Sequence, residues 1–252
     1  MEFDILLWAL AVLATLFVGA SKGGLPMIGM LAVPIMALAI SPVVAAGLLL
    51  PIYIVSDVYG LWLYRKSYDL RNIKIIVPAA TIGIGIGWAT ASITSAVQVK
   101  LLVGIIGLSY CIEAILNFHR NLPPRPADVP RGYFWGTIAG FTSFVSHAGG
   151  PPYQMYVLPQ RLDKMVYAGT STIIFAIINL LKLPPYWFLG QVNMSSLEKG
   201  LYLAPIAILG AYLGYKLTSV IPQKLFFRIV EVALVLVSVK LLYDGFVGLT
   251  NA

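Results

Sequence analysis

Charge is scarce in this chain. Only 11% of its 252 residues are Asp, Glu, Lys or Arg and 59% are apolar, for a mean hydropathy of +0.87, whereas a soluble domain carries roughly 25% charged residues. A water-exposed surface around a single core is thereby excluded, and the chain reads as an all-α polytopic membrane protein. Once its apolar segments are counted, too little remains for a separate soluble domain. Cysteine is nearly absent: Cys111, inside an apolar run, is the only one, which excludes an internal disulfide, a multi-cysteine metal site and a two-thiol relay. No His, Cys or carboxylate cluster stands at metal-ligand spacing and no Gly-x-x-x-x-Gly-Lys-Ser/Thr loop is present, so neither a metal nor another cofactor is expected. The net charge is +7, but the cations fall in short loops between apolar runs, the pattern of membrane topology rather than of nucleic-acid binding.

What is present is a series of apolar runs with two polar, helix-breaking interruptions. Gly19-Ala20-Ser21-Lys22-Gly23-Gly24-Leu25-Pro26 separates apolar limbs at 4–18 and 26–40, and Ser146-His147-Ala148-Gly149-Gly150-Pro151-Pro152 separates limbs at 132–145 and 152–160. At 1.5 Å per residue such a limb covers about 22 Å, short of the ~30 Å hydrocarbon core, so each pair is expected to form a broken or re-entrant hairpin. Runs of full spanning length follow at 43–63, 72–91 and 97–118, and again at 164–184, 197–216 and 223–244. The stretch ending in Val18-Gly19-Ala20 imitates a signal peptide, but Glu2 and Asp4 stand where a signal needs positive charge, and it is read as structure.

The two halves share their helix-altering residues. Gly47 and Asp57 are spaced as Gly169 and Asn179, and Pro78, Gly83 and Gly87 as Pro205, Gly210 and Gly214. Such a shared pattern in apolar sequence indicates an internal duplication. The expected organisation is a first transmembrane repeat at 1–118, a basic cytoplasmic linker at 119–131 and a second transmembrane repeat at 132–252. If each half is a hairpin plus three spans, the second repeat is inverted. That topology puts 12 of the 17 Lys and Arg on one side and both termini outside, as the positive-inside rule prefers. Trp8, Tyr64, Tyr68, Trp88, Tyr186 and Trp187 are expected at the membrane interfaces.

In an inverted repeat the two breaks are expected to meet near the midplane as one small-anion site. The return limbs from Pro26 and Pro152 would begin helices there, whose first N–H groups carry partial positive charge. Lys22, Gly23, Gly24, Gly149 and Gly150 are the principal candidates for substrate binding, with Ser21, Thr142, Ser143, Ser146 and His147 as further donors. A Gly-Gly-x-Pro break alone is better explained by a kink at a close helix crossing; the duplication and the flanking polar residues reverse that preference and favour a site. Asp57, with Asn179 as its repeat equivalent, either balances Lys22 or takes up a proton during turnover, and His147 is a second candidate for coupling.

Through Gly23-Gly24-Leu25-Pro26 to Pro34, and Gly149-Gly150-Pro151-Pro152 to Pro159, the chain resembles the TauE/SafE family of sulfite and organosulfonate transporters over nearly its whole length. The resemblance implies about eight membrane segments and movement of sulfite, sulfoacetate-like compounds or related small anions across a bacterial inner membrane. Lys22 and His147 stand where glycine-rich members have small residues, which favours a strongly anionic substrate. Related thiosulfate carriers use intramembrane cysteines, a route the lone Cys111 argues against. The expected function is therefore secondary transport of a small anion by alternating access, with protons as possible coupling ions and the lipid bilayer as surroundings. A passive anion channel and, less favoured, a membrane-embedded hydrolase built on Ser146 or Ser21, His147 and Asp57 remain as rivals.

Overall fold

The structure, a computed structural model, describes residues 5–26, 28–115 and 123–250, and these contain helices and no strand. His119 and the first part of the 119–131 linker lie outside the described residues, as do Glu2 and Asp4. Ten α-helices follow one another: α1 Ile5–Lys22, α2 Ala32–Met36, α3 Pro42–Tyr64, α4 Leu70–Ala89, α5 Ala96–Ile115, α6 Val129–Ser146, α7 Gly150–Val157, α8 Lys164–Phe188, α9 Met194–Val220 and α10 Gln223–Thr250. Among the described residues five helices, α1, α3, α4, α8 and α9, are long and apolar enough to cross a membrane, so the first limb, expected to fall short at 4–18, is long enough once it runs on to Lys22. Both sequence breaks interrupt helix, between α1 and α2 and between α6 and α7. The first return limb differs from expectation: no helix starts at Pro26, and a 3-10 turn, Ile28–Leu31, precedes the five-residue α2. Helix starts follow local chemistry. Ser41 caps α3 ahead of Pro42 by accepting the Val44 N–H, Asp128 caps α6 by accepting the Arg131 N–H, and Asn193 and Ser196 close a reciprocal capping box on α9.

By contact the chain divides into two compact units, one of α1–α3 with α8 and α9, the other of α4–α7 with α10. Each unit therefore mixes segments from both sequence halves. In the first, α1 lies against α9 at backbone distance. A Cβ on Gly19 would come 2.1 Å from the Ala207 carbonyl oxygen, and one on Gly214 would come 2.6 Å from that of Ala20. In the second, α6 meets α4 the same way: a Cβ on Gly140 would come 2.1 Å from the Ala80 carbonyl oxygen, and one on Gly83 2.0 Å from that of Thr137. Ala80 and Ala207 each stand two residues after the matched prolines, Pro78 and Pro205, so the same crossing occurs once in each unit. Small residues at such positions let two backbones approach closely where lipid supplies no hydrophobic drive. Gly83 and Gly87 are thus consumed within the chain, against α6, while Gly85 between them faces open space.

The equivalent helices α3 and α8 pack on each other reciprocally. A Cβ on Gly47, early in α3, would strike the carbonyl oxygen of Gln191 just beyond α8; one on Gly169, early in α8, would strike that of Ser67 just beyond α3. Each glycine sits beside the segment following the other helix, so the two run antiparallel. In the second unit α5 and α10 do likewise, Gly104 against Leu242, Gly107 against Ser238 and Gly245 against Leu101. Of the six aromatic residues expected at interfaces, Trp8, Tyr68, Trp88 and Trp187 are exposed, but Tyr64 and Tyr186 are buried. Their phenols serve packing in the first unit instead.

Candidate functional site

The first break is built from the end of α1. Lys22 is its last residue, and glycine lets the chain leave the helix there: Gly24 holds a φ of 113°, a conformation that side-chain-bearing residues rarely adopt. The turn closes on itself, with the Gly23 N–H donating to the Gly19 and Ala20 carbonyls and the Leu25 N–H to Ala20. Non-helical backbone at membrane depth needs partners for the carbonyls it frees. Hydroxyls from α3 and α8 supply them. Tyr64 donates to the Gly23 carbonyl at 2.6 Å, Tyr53 to that of Gly29 at 2.7 Å and Thr172 to that of Lys22 at 3.2 Å. What approaches Gly23 most closely is the α9 backbone at Ala211 and Tyr215, and what approaches Gly24 is the Tyr64 phenol.

The Lys22 side chain meets a carboxylate. Its Nζ lies 2.8 Å from Asp57 Oδ1, and the other oxygen of Asp57 accepts a hydrogen bond from Asn179 Nδ2, also at 2.8 Å. Lys22 and Asp57 are each only 4% exposed. Tyr53 and Phe175 present ring faces 5.1 Å and 6.0 Å from the ammonium, where a cation gains from the ring quadrupole. Asp57 and Asn179 thus face each other across the antiparallel α3 and α8, and Lys22 from α1 completes the group. The ammonium that sequence reading assigned to an anion is already balanced by a carboxylate.

Lys182 is the residue that sequence reading missed. Near the end of the apolar run at 164–184, it is wholly buried one turn beyond Asn179 on α8, with its Nζ 6.0 Å from the Tyr186 ring. Asp57 and Lys22 are both within its electrostatic reach. Its signal was available: Asn179 to Lys182 is a helical i,i+3 step, so the two share a face.

The second break, in the other unit, has its own geometry. Helix α6 ends at His147, which adopts a left-handed conformation with φ 53° and ψ 24°; its N–H donates to Ser143 and that of Ala148 to Thr142. Helix α7 starts at Gly150 with Gly149 as its cap. Pro151 and Pro152 carry no N–H, and the Tyr153 N–H donates to the Gly149 carbonyl, so of the first-turn amides only those of Gly149 and Gly150 are candidates to face a ligand. The candidate hydroxyls point their protons elsewhere. Ser21 donates to Val18, Thr142 to Ile138 and Ser146 to Thr142, each within its own helix. Ser143 and His147 are buried. Among the described residues no group of three or more His, Cys, Asp or Glu gathers as a metal site would.

A sequence model of the sulfite exporter TauE/SafE family matches residues 8–241. The chain belongs to the TauE/SafE family. That match runs from within α1 to within α10 and takes in both breaks. TauE/SafE proteins are membrane transporters exporting sulfite-like anions, and the chain is accordingly a multi-pass membrane protein with a small anion as substrate. Comparison with curated proteins gives no match, and neither does comparison with solved structures.

Proposed function

We propose that this chain is a secondary transporter that moves sulfite, sulfoacetate-like organosulfonates or related carboxylates by alternating access, in proton-coupled fashion, across a bacterial inner membrane. The observation that carries this reading is the buried Lys22–Asp57–Asn179 group at the point where α1 breaks. An intramembrane ion pair held by a helix that stops beside it is costly to build for anchorage alone, because burying both charges consumes most of what their attraction returns. As an exchangeable pair it has a use. An incoming anion competes with the Asp57 carboxylate for the Lys22 ammonium, and protonation of Asp57 removes the competitor. Asn179 suits both states, since its amide can donate to the carboxylate and accept from the carboxylic acid. One proton taken up for one anion bound follows from that exchange.

The antiparallel run of α3 and α8, and of α5 and α10, supports two inverted repeats, with both termini outside. Gly23, Gly24, Ser21 and Lys22 at the first break, and Thr142, Ser143, Ser146, His147, Gly149 and Gly150 at the second, remain the proposed substrate-handling segments, with His147 a second coupling candidate. The test is reconstitution into liposomes. An imposed pH gradient should drive accumulation of sulfite or sulfoacetate against its own gradient. Lys22→Ala should abolish uptake, and Asp57→Asn should leave downhill exchange while removing the response to pH. Flux that only ever runs downhill in the wild type would point to a channel; an Asp57→Asn protein still driven by the pH gradient would end the coupling role.

A further inference from the structure

Buried amides in the second unit are otherwise well paired. Asn72 and Gln160 exchange hydrogen bonds at 2.8 Å and 3.0 Å, and Gln160 also donates to the Tyr156 carbonyl. Gln154, six residues earlier in the same limb, is different. It is 0% exposed, and neither its Oε1 nor its Nε2 has a hydrogen-bond partner in the protein. Exchanging the two atoms by an amide flip changes nothing, because both are unmatched. Unmatched buried polar groups are rare and call for an explanation at the site. Gln154 also has a particular location. It lies one turn into α7, and helix side chains lean toward the N-terminal end, which here is the Gly149–Pro152 break. At that break Pro151 and Pro152 deprive the helix of two of the backbone donors that anion binding at a helix start relies on. Gln154 Nε2 carries two N–H groups in the first turns of the same helix.

We propose that Gln154 is a substrate-binding residue of the second break, and that its amide selects small oxyanions that also carry a hydroxyl group. This rests on the transport reading above and deepens it. An amide presents donors and an acceptor side by side. A sulfonate or sulfite oxygen accepts from Nε2. The Oε1 is satisfied only by a ligand with a proton to give, as in hydrogensulfite or a hydroxyalkanesulfonate. A ligand without a hydroxyl leaves Oε1 buried and unmatched, and the unmatched group is what discriminates.

The experiment compares two probes that differ by one oxygen, 2-hydroxyethanesulfonate and ethanesulfonate, binding to the purified full-length protein by calorimetry, with sulfite as a third ligand. The wild type should prefer the hydroxyl-bearing probe by about tenfold or more. Gln154→Leu, close in shape and without polar atoms, should bring the two affinities together. It should also keep or raise the melting temperature, because removing an unmatched buried amide relieves the fold, whereas loss of a structural amide would lower it. Gln154→Glu keeps the size and replaces the donor by a negative charge, and should lose binding of all three anions. Equal wild-type affinities, or a Gln154→Leu protein that still discriminates or melts lower, would overturn the assignment while leaving the transport reading intact. Failure of the wild type to bind any of the three would overturn both.

Discussion

The ion pair at the first break can be tested by dismantling it from both sides. Removing Lys22 as Lys22→Met leaves Asp57 buried against the Asn179 amide; removing the carboxylate as Asp57→Leu leaves a buried ammonium against the rings of Tyr53 and Phe175. Either single change strands a charge that is otherwise 4% exposed, and breaking a buried pair from one side costs about 3–5 kcal/mol. The double variant strands neither, and replacing a whole buried pair by apolar residues is often neutral or favourable. The four proteins therefore form a cycle with a coupling energy of roughly 3 kcal/mol or more. The assay is unfolding of each purified protein by a denaturant that gives reversible transitions. Both single variants should unfold well before the wild type, and the double variant should recover most of the loss. Single losses that simply add in the double variant would refute the pair as an energetic unit. Single variants as stable as the wild type would show that these charges reach water, and with that the exchange mechanism would lose its basis. Lys182, sharing the buried surroundings, sets a further expectation: Asp57→Leu should be the worse single change, since it removes a carboxylate that acts on two buried lysines.

Other consequences follow from the glycines and the breaks. Gly83→Ala should destabilise by about 1–3 kcal/mol by overpacking, because its Cβ would sit 2.0 Å from the Thr137 carbonyl oxygen. Gly85→Ala, two residues away with nothing within 4 Å, should stabilise by about 0.5–1 kcal/mol through helix propensity, and paired melts of the two variants check both. At the second break His147→Ala should melt lower than His147→Gly by an amount equivalent to roughly 1 kcal/mol, since only glycine takes the left-handed conformation without a Cβ penalty; equal melts would mean that residue 147 is not held there. Tyr64→Phe removes the donor to the Gly23 carbonyl and should cost about 1–3 kcal/mol, measured by the same unfolding transition, with Tyr68→Phe, an exposed neighbour, as the silent control.

The membrane class, the spans at 43–63, 72–91, 164–184 and 197–216 and both breaks were legible in the sequence because each is decided within a short stretch of chain. Apolar run length sets what can cross lipid, and glycine and proline act on the backbone where they stand. Local reading also went wrong at local resolution. The limb after Pro26 has the composition of a helix, yet Tyr53 holds the Gly29 carbonyl and the chain there is a 3-10 turn. Gly83, Gly85 and Gly87 alternate along α4, but a helix turns by 100° per residue, and two of the three reach α6 while the third does not.

What the tertiary structure alone decided is partnership. Nothing near residue 19 in the sequence says that it will touch residue 207, or that α6 will pair with α4, so that each compact unit takes helices from both halves. The sequence supplied Lys22 and Asp57 as intramembrane charges and left open whether they meet; only the packing of α1 on the antiparallel α3 and α8 puts them 2.8 Å apart and turns a free cation into half of a pair. Lys182 stands near the end of the apolar run at 164–184 and Gln154 within the limb at 152–160, and nothing in those positions marks either residue out. Burial gave both their significance, because the energy of a charge or an unmatched amide is set by the groups folded around it, and those groups come from distant parts of the chain.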